Sequence, residues 1–88
     1  MMKEGVAELA EIYGALGHPV RLAIARGLLD NACNVNKIVR ALKVKQSSVS
    51  QHLKIMKNAG IIRGERQGVR ICYRIISAKA IKIIKGGM

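Results

Sequence analysis

Acidic side chains are scarce in this chain, and the parts from which most enzymes, membrane proteins and secreted scaffolds are built are missing. There is no run of eighteen uncharged apolar residues, so a transmembrane helix is not expected. The opening Met1-Met2-Lys3-Glu4-Gly5 leads into a mixed amphipathic stretch and not into a signal-peptide core, which makes a cytoplasmic location the expectation. Only two cysteines occur, Cys33 and Cys72, and they form neither a CxxC pair nor a dense spacing pattern. That argues against a zinc module or a disulfide scaffold and leaves reduced thiols as the default. Paired carboxylates, a glycine-rich phosphate loop before a helix, and any Ser-His-acid or Cys-His-acid set are also lacking, so no enzyme and no cofactor are expected. Two histidines, His18 and His52, with no carboxylates clustered near them, make a poor transition-metal site.

What is abundant is positive charge. Sixteen Lys and Arg against five acids give a net +11 in 88 residues, a length that suits one domain. The excess is uneven. Residues 1–30 carry three bases and four acids, whereas residues 31–88 carry thirteen bases and one acid, Glu65. A polyanion beside the second part follows, and nucleic acid is the commonest one. The bases are scattered through helix, turn and strand patterns and not gathered on one amphipathic face, which disfavours a membrane surface.

Periodicity supplies the organisation. From Glu4 to Leu16, the residues Val6, Leu9, Ala10, Tyr13 and Leu16 recur at three- and four-residue spacing, and Gly17 breaks the helix they predict. His18-Pro19 opens a second helix whose apolar stripe is Leu22, Ala25, Leu28 and Leu29, ending near Asp30-Asn31. Asn34 can cap a third helix, with Cys33 and Ile38 placed as a hydrophobic staple and Ile38, Ala41 and Leu42 as its apolar face. The turn Lys43-Val44-Lys45 leads into a fourth helix from Gln46 to Asn58, closed by Gly60. Beyond it the period drops to two, predicting a hairpin over 61–76 that turns at Gln67-Gly68. Ser77 caps a last helix over 78–85, with Ile81 and Ile84 apolar and Lys79, Lys82 and Lys85 wet, before a loose Gly86-Gly87-Met88 end.

Helix, helix, helix, turn, helix, hairpin, helix is the order of a winged helix-turn-helix: mainly α with a β-hairpin wing, α-α-α-α-β-β-α. On the fourth helix, Val49, Leu53 and Met56 fall on one side, and Ser47, Ser50, Gln51, Lys54 and Asn58 on the other. Slim polar side chains with flanking cations suit a major groove, where Gln and Ser reach base edges and Lys or Arg meets phosphate. An ordinary solvated helix would include acids for ion pairs, yet none occurs between Asn31 and Gly64. The candidate DNA-contacting residues are Gln46, Ser47, Ser48, Ser50, Gln51 and Lys54, joined by Arg66 and Arg70 at the wing tip. Val6, Leu9, Tyr13 and Leu16 with Ile81 and Ile84 offer more apolar stripe than so small a monomer readily hides, so helices 4–16 and 78–85 are expected to form a homodimer interface.

Three stretches, Ala15-Leu16-Gly17-His18-Pro19-Val20-Arg21-Leu22, Gln46 through Lys54, and Ala59-Gly60-Ile61-Ile62 through Gly68 to Tyr73-Arg74-Ile75, resemble the ArsR family of winged-helix repressors over residues 6–85. The resemblance implies a dimer built from the first and last helices, recognition helices in successive major grooves, wings on flanking DNA, and repression relieved by a metal, metalloid, thiol oxidant or other inducer. Metal-sensing members carry Cys-x-Cys at the start of the third helix, where this chain has Asn34 and Asn36. Amides do not replace thiolates toward soft metals, and the last helix lacks the acids and histidines of the other metal-binding class, so no metal site is expected. Lys45 stands where Ser or Thr is the expected cap, which trades capping for a phosphate contact. The sequence therefore reads as a single 1–88 domain, with 34–59 as the helix-turn-helix, that represses transcription from a palindromic operator. Two other readings stay open: an architectural protein that coats DNA through charge, and a thiol-based redox sensor using Cys33 or Cys72.

Overall fold

The computed structural model describes residues 4–86. The elements run α1 (Glu4–Leu16), α2 (Pro19–Asp30), α3 (Val35–Leu42), α4 (Gln46–Asn58), β1 (Ile62–Gln67), β2 (Arg70–Ile75) and α5 (Ala78–Gly86). This is the expected winged helix-turn-helix, with α3 and α4 as the paired helices and β1–β2 as an antiparallel wing. Gly87 and Met88 lie outside the described residues, as do Met1 to Lys3. No described helix is long and apolar enough to cross a membrane.

Local chemistry sets the element ends. His18 is extended and its Nδ1 accepts the Val20 N–H at 3.1 Å, with Pro19 in the first turn of α2. Ser77 Oγ accepts the Ala80 N–H at 3.1 Å and caps α5 as the sequence suggested. Helix α4 closes on Gly60, whose φ of 74° is open to glycine at little cost. There the Gly60 N–H donates to the Lys57 carbonyl and the Ile61 N–H to the Met56 carbonyl. These are the two bonds of a Schellman closure, and Ile61 and Met56, the positions whose apolar side chains accompany such a closure, are both fully buried in the core.

The core gathers Ile12, Ile24, Leu28, Met56, Ile61 and Ile84 with their buried neighbours. Two helix phases differ from the sequence reading. In α1 the buried positions are Ile12, Ala15 and Leu16, while Val6 and Tyr13 are 49% and 55% exposed. Apolar residues on several sides of this helix let more than one stripe satisfy the same spacing. In α3 the buried residues are Val35 and Val39; Ala41 and Leu42 are exposed, and Ile38 is partly buried against α2. Two turns are too few for periodicity to fix a face. Gly27 makes that approach possible, since a Cβ there would lie 2.7 Å from Ile38 Cδ1.

The wing pairs Gln67 with Arg70, so its turn is Gly68-Val69, one residue later than expected. Gly68, at φ 64°, takes the first turn position, which a II′ hairpin reserves for glycine. Gly64 faces Tyr73 across the ladder and has no side chain to obstruct it; a Cβ would stand 2.9 Å from the ring and 3.0 Å from Ile71 Cγ2.

The cysteines depart most from the sequence reading. Cys33 and Cys72 form a disulfide. Cys33 is exposed and not a buried staple, and it sits at φ 73°, a backbone region unfavourable for a residue with a Cβ. Asn34 after it therefore reaches φ −101° and ψ 36°, not the extended geometry of a cap, and makes no capping bond. The alternation of Ile71, Cys72 and Tyr73 in the sequence suggests an outward Cys72 between inward neighbours, but Cys72, opposite Glu65, is 2% exposed and it is Ile71 that is exposed, at 51%. The cause is a contact remote in sequence. The loop between α2 and α3 runs beside β2, where the Cys33 N–H donates to the Tyr73 carbonyl at 3.2 Å.

Candidate nucleic-acid interface

Helix α4 is held from behind and left open in front. Val49, Leu53 and Met56 are buried in the core. On the same inward flank His52 meets α2: its ring centroid lies 4.7 Å from that of His18, and the Arg21 Nη1 stands 3.3 Å from its Nδ1. Arg21 is itself fixed by donating its Nε–H to the Ala15 carbonyl. Burial, then His18, then Arg21 hold the His52 pKa below its ordinary value of 6.5. The neutral ring can accept from the guanidinium through Nδ1, so this cluster pins the fourth helix while His52 is uncharged. His18 is the helix-start residue that the sequence suggested, and His52 is partly packed on the flank of α4.

The front face carries Gln46, Ser47, Ser50, Gln51 and Lys54, all exposed, and Ser48, half-buried. Lys45 precedes them in extended conformation and offers no side-chain cap, and the first turn of α4 holds no acid. The N–H groups of that turn are thus unsatisfied by any side chain, on a surface of positive charge; an incoming phosphate is the natural partner. At the wing, Arg66 and Arg70 are exposed, with the Arg66 Nε–H reaching back to the Gly68 carbonyl at 3.5 Å. The structure brings the six helix residues together on one element and sets the two wing arginines on another.

Between the two lies a cleft of about 510 Å³, walled by the start of α3, by α4 and by β2. Gln46 and Ser50 line it from one side and Arg70 from the other. Lys37, Arg40 and Cys33 line it as well, and the sequence reading gave none of them this position. Their charge was visible in the composition; what turns them toward the wing is the loop that follows α2, which no local pattern encodes. Among the described residues, no three of His, Cys, Asp and Glu come together as a metal cluster.

Comparison with known proteins places this surface in context. The family model of bacterial regulatory proteins, arsR family, matches residues 18–63, which takes in α2, α3, α4 and the first wing residues. Over 65 residues the chain is 48% identical to the HTH-type transcriptional repressor SmtB of Mycobacterium tuberculosis, an alignment covering 74% of this chain and 48% of that protein. The chain thus spans about half the length of that relative. It is 42% identical over 77 residues to the transcriptional repressor PagR of Bacillus anthracis, covering 86% of this chain and 77% of PagR. The crystal structure of PagR superposes with a TM-score of 0.83 at 38% identity over 96% of this chain and 97% of that one. A homodimeric winged helix-turn-helix DNA-binding domain from Mycobacterium bovis has the same fold, with a TM-score of 0.82 at 23% identity over 99% and 83% of the two chains.

Proposed function

The chain belongs to the ArsR family of bacterial regulatory proteins, and from that premise we propose that it is a cytoplasmic, sequence-specific DNA-binding repressor that reads a palindromic operator as a homodimer. The observation that carries the proposal is the outer face of α4. Ser47, Ser50, Gln51 and Lys54 stand exposed on a helix whose opposite side is locked in the core, and no acid lies among them. In this reading Gln51 and the serines meet base edges in the major groove. Gln46, Lys54 and the wing residues Arg66 and Arg70 secure the backbone. Residues 34–59 then form the reading motif, 61–76 the wing, and 4–16 with 78–85 the dimer surface. Support for the dimer comes from Val6 and Tyr13, exposed on α1, and from the Lys79–Glu8 ion pair of 2.9 Å that ties α5 to α1. The relatives named repressors, and the neighbour that is homodimeric, agree with this assignment.

Competition for DNA tests it. A repressor prefers its operator to random DNA by about a thousandfold or more, whereas an architectural coat shows no such preference. Sedimentation at micromolar concentration checks the assembly, and a strictly monomeric chain with tight operator binding would refute the dimer. With Asn34 and Asn36 in place of a Cys-x-Cys pair, zinc, cadmium and arsenite at low micromolar concentration are expected to leave operator affinity unchanged.

One observation favours a second layer to this function, a thiol switch. The Cys33–Cys72 link closes a ring that contains α3, α4, β1 and the wing turn, and all eight candidate DNA-contacting residues lie inside it. Oxidation therefore ties the reading helix and the wing into one unit, and reduction releases the wing from the start of α3. Operator affinity measured with and without a neutral dithiol reductant tests this, and equal affinities would remove it.

A further inference from the structure

The two residues of the disulfide differ in access. Cys72 is buried, whereas Cys33 is exposed and forms part of the wall of the 510 Å³ cleft between α3, α4 and the wing. Of the two residues, Cys33 is therefore the one open to a nucleophile from solvent. The cleft also carries Lys37, Arg40 and Arg70, and no Asp or Glu lines it. Such a concave cationic surface concentrates small anions. The attacking species in thiol–disulfide exchange is itself an anion, the thiolate.

From these observations we infer that the cleft is an exchange site for low-molecular-weight thiols that bear additional negative charge, and that Cys33 Sγ is the atom they attack. The inference rests on the thiol-switch reading given above. The thiolate sulfur bonds to Cys33 Sγ, the bond to Cys72 breaks, and Cys72 leaves as a thiolate that takes up a proton. The products are a mixed disulfide on Cys33 and a buried Cys72 thiol. No outside oxidant or reductant is needed, because one disulfide is exchanged for another. The adduct lies beside Gln46 and Ser50, which line the same cleft. Opening the ring thus leaves a negatively charged group between the reading helix and the wing, where DNA phosphates would otherwise come.

The test uses the oxidised full chain and three thiols: mercaptosuccinate, anionic beyond its sulfur; 2-mercaptoethanol, neutral; and cysteamine, cationic. Intact-mass spectrometry of quenched samples gives the rate of adduct formation, expressed per thiolate so that differences in thiol pKa drop out. Mercaptosuccinate is expected to react about tenfold faster than 2-mercaptoethanol, with cysteamine slowest. The spread should collapse in 1 M salt, where the screening length falls to about 3 Å, and also in the Lys37→Gln/Arg40→Gln double variant. Peptide mapping should place the adduct on Cys33. Equal or reversed rates, a spread that survives the double variant, or an adduct on Cys72 would overturn the inference. Operator affinity of the oxidised, adducted and dithiol-reduced forms separates the two ideas. Charge selectivity with unchanged affinity refutes the switch and leaves the exchange site standing; changed affinity without selectivity does the reverse. Two cysteines that both remain alkylatable after diamide treatment would overturn both.

Discussion

The helices of this molecule begin in two different ways. Helices α2 and α5, which pack on the core outside the reading motif, start on side chains that satisfy their first N–H groups: His18 for Val20, Ser77 for Ala80. Helices α3 and α4, which form the motif, start on Asn34 and Lys45 and receive no side-chain cap. The acids divide by position and not by cap: four of the five lie in residues 1–30, and capped α5 carries three lysines and no acid. A capped helix is finished within its own chain. An uncapped one in a cationic setting is left to be completed by a partner, and the cost to the free protein is about 1 kcal/mol per missing cap. The packing helices and the helices proposed to read DNA thus differ at their starts.

The largest test of that division strikes the packing half. Ile24→Ala removes a fully buried side chain from α2 and should lower unfolding stability by about 2–5 kcal/mol, measured by urea denaturation. Operator affinity at a temperature where the variant stays folded should change little; a comparable loss there would mean that packing and reading are not separable. Next comes the reading face. Gln51→Ala and Ser47→Ala should each cost about 1–3 kcal/mol on the operator and almost nothing on random DNA. Equal losses on both would reduce these residues to positioning the helix.

The caps sharpen the contrast most directly. Ser77→Ala should destabilise the fold by about 1 kcal/mol and leave DNA binding alone, whereas Lys45→Ser should stabilise it by a similar amount while weakening DNA binding and lowering the salt slope by about one unit. Lys45→Ser losing stability would show that Lys45 has a structural task and the comparison would fail. The smallest effect is a pH dependence. Because His52 is held below its ordinary pKa, the folded chain binds fewer protons than the unfolded one as the pH falls below about 6.5. Stability should therefore decline toward acid and be flat above that range, and His52→Gln should flatten the acid side of the profile in thermal melts. An unaltered slope would place the titration elsewhere.

Much of this was legible in the sequence, for reasons that can be traced. Caps, glycines and long apolar periods are local signals, and they placed α2, α4, α5 and the wing to within a residue or two. The buried face of α4 followed from thirteen residues of clear spacing, and with it the outward set from Ser47 to Lys54. Short or ambiguous periods gave the extents of α1 and α3 but not their buried faces: α3 offers two turns, and α1 has apolar residues on more than one side. The wing turn slipped by one residue because Gly68 takes the first and not the second turn position. The disulfide could not be read at all. It depends on the loop after α2 lying against β2, a contact across 39 residues that no local pattern records. The same contact brings Lys37 and Arg40 to the cleft, so the part of the candidate site that was missed traces to that one tertiary event.

The bond between Cys33 and Cys72 also determines how tension travels through the chain. With the bond closed, a pull on the two ends passes directly from residue 33 to residue 72 through sulfur. The intervening loop of sequence separation 39 bears no load, which hides about 130 Å of contour length from the pull. Helices α1, α2 and α5 and the last residues of β2 take the force, and α3, α4 and β1 hang slack within a covalent shunt. With the bond open, the same pull runs through α3, α4 and both strands in turn. Mechanically, the oxidised molecule shields its reading surface and the reduced one strings it in series.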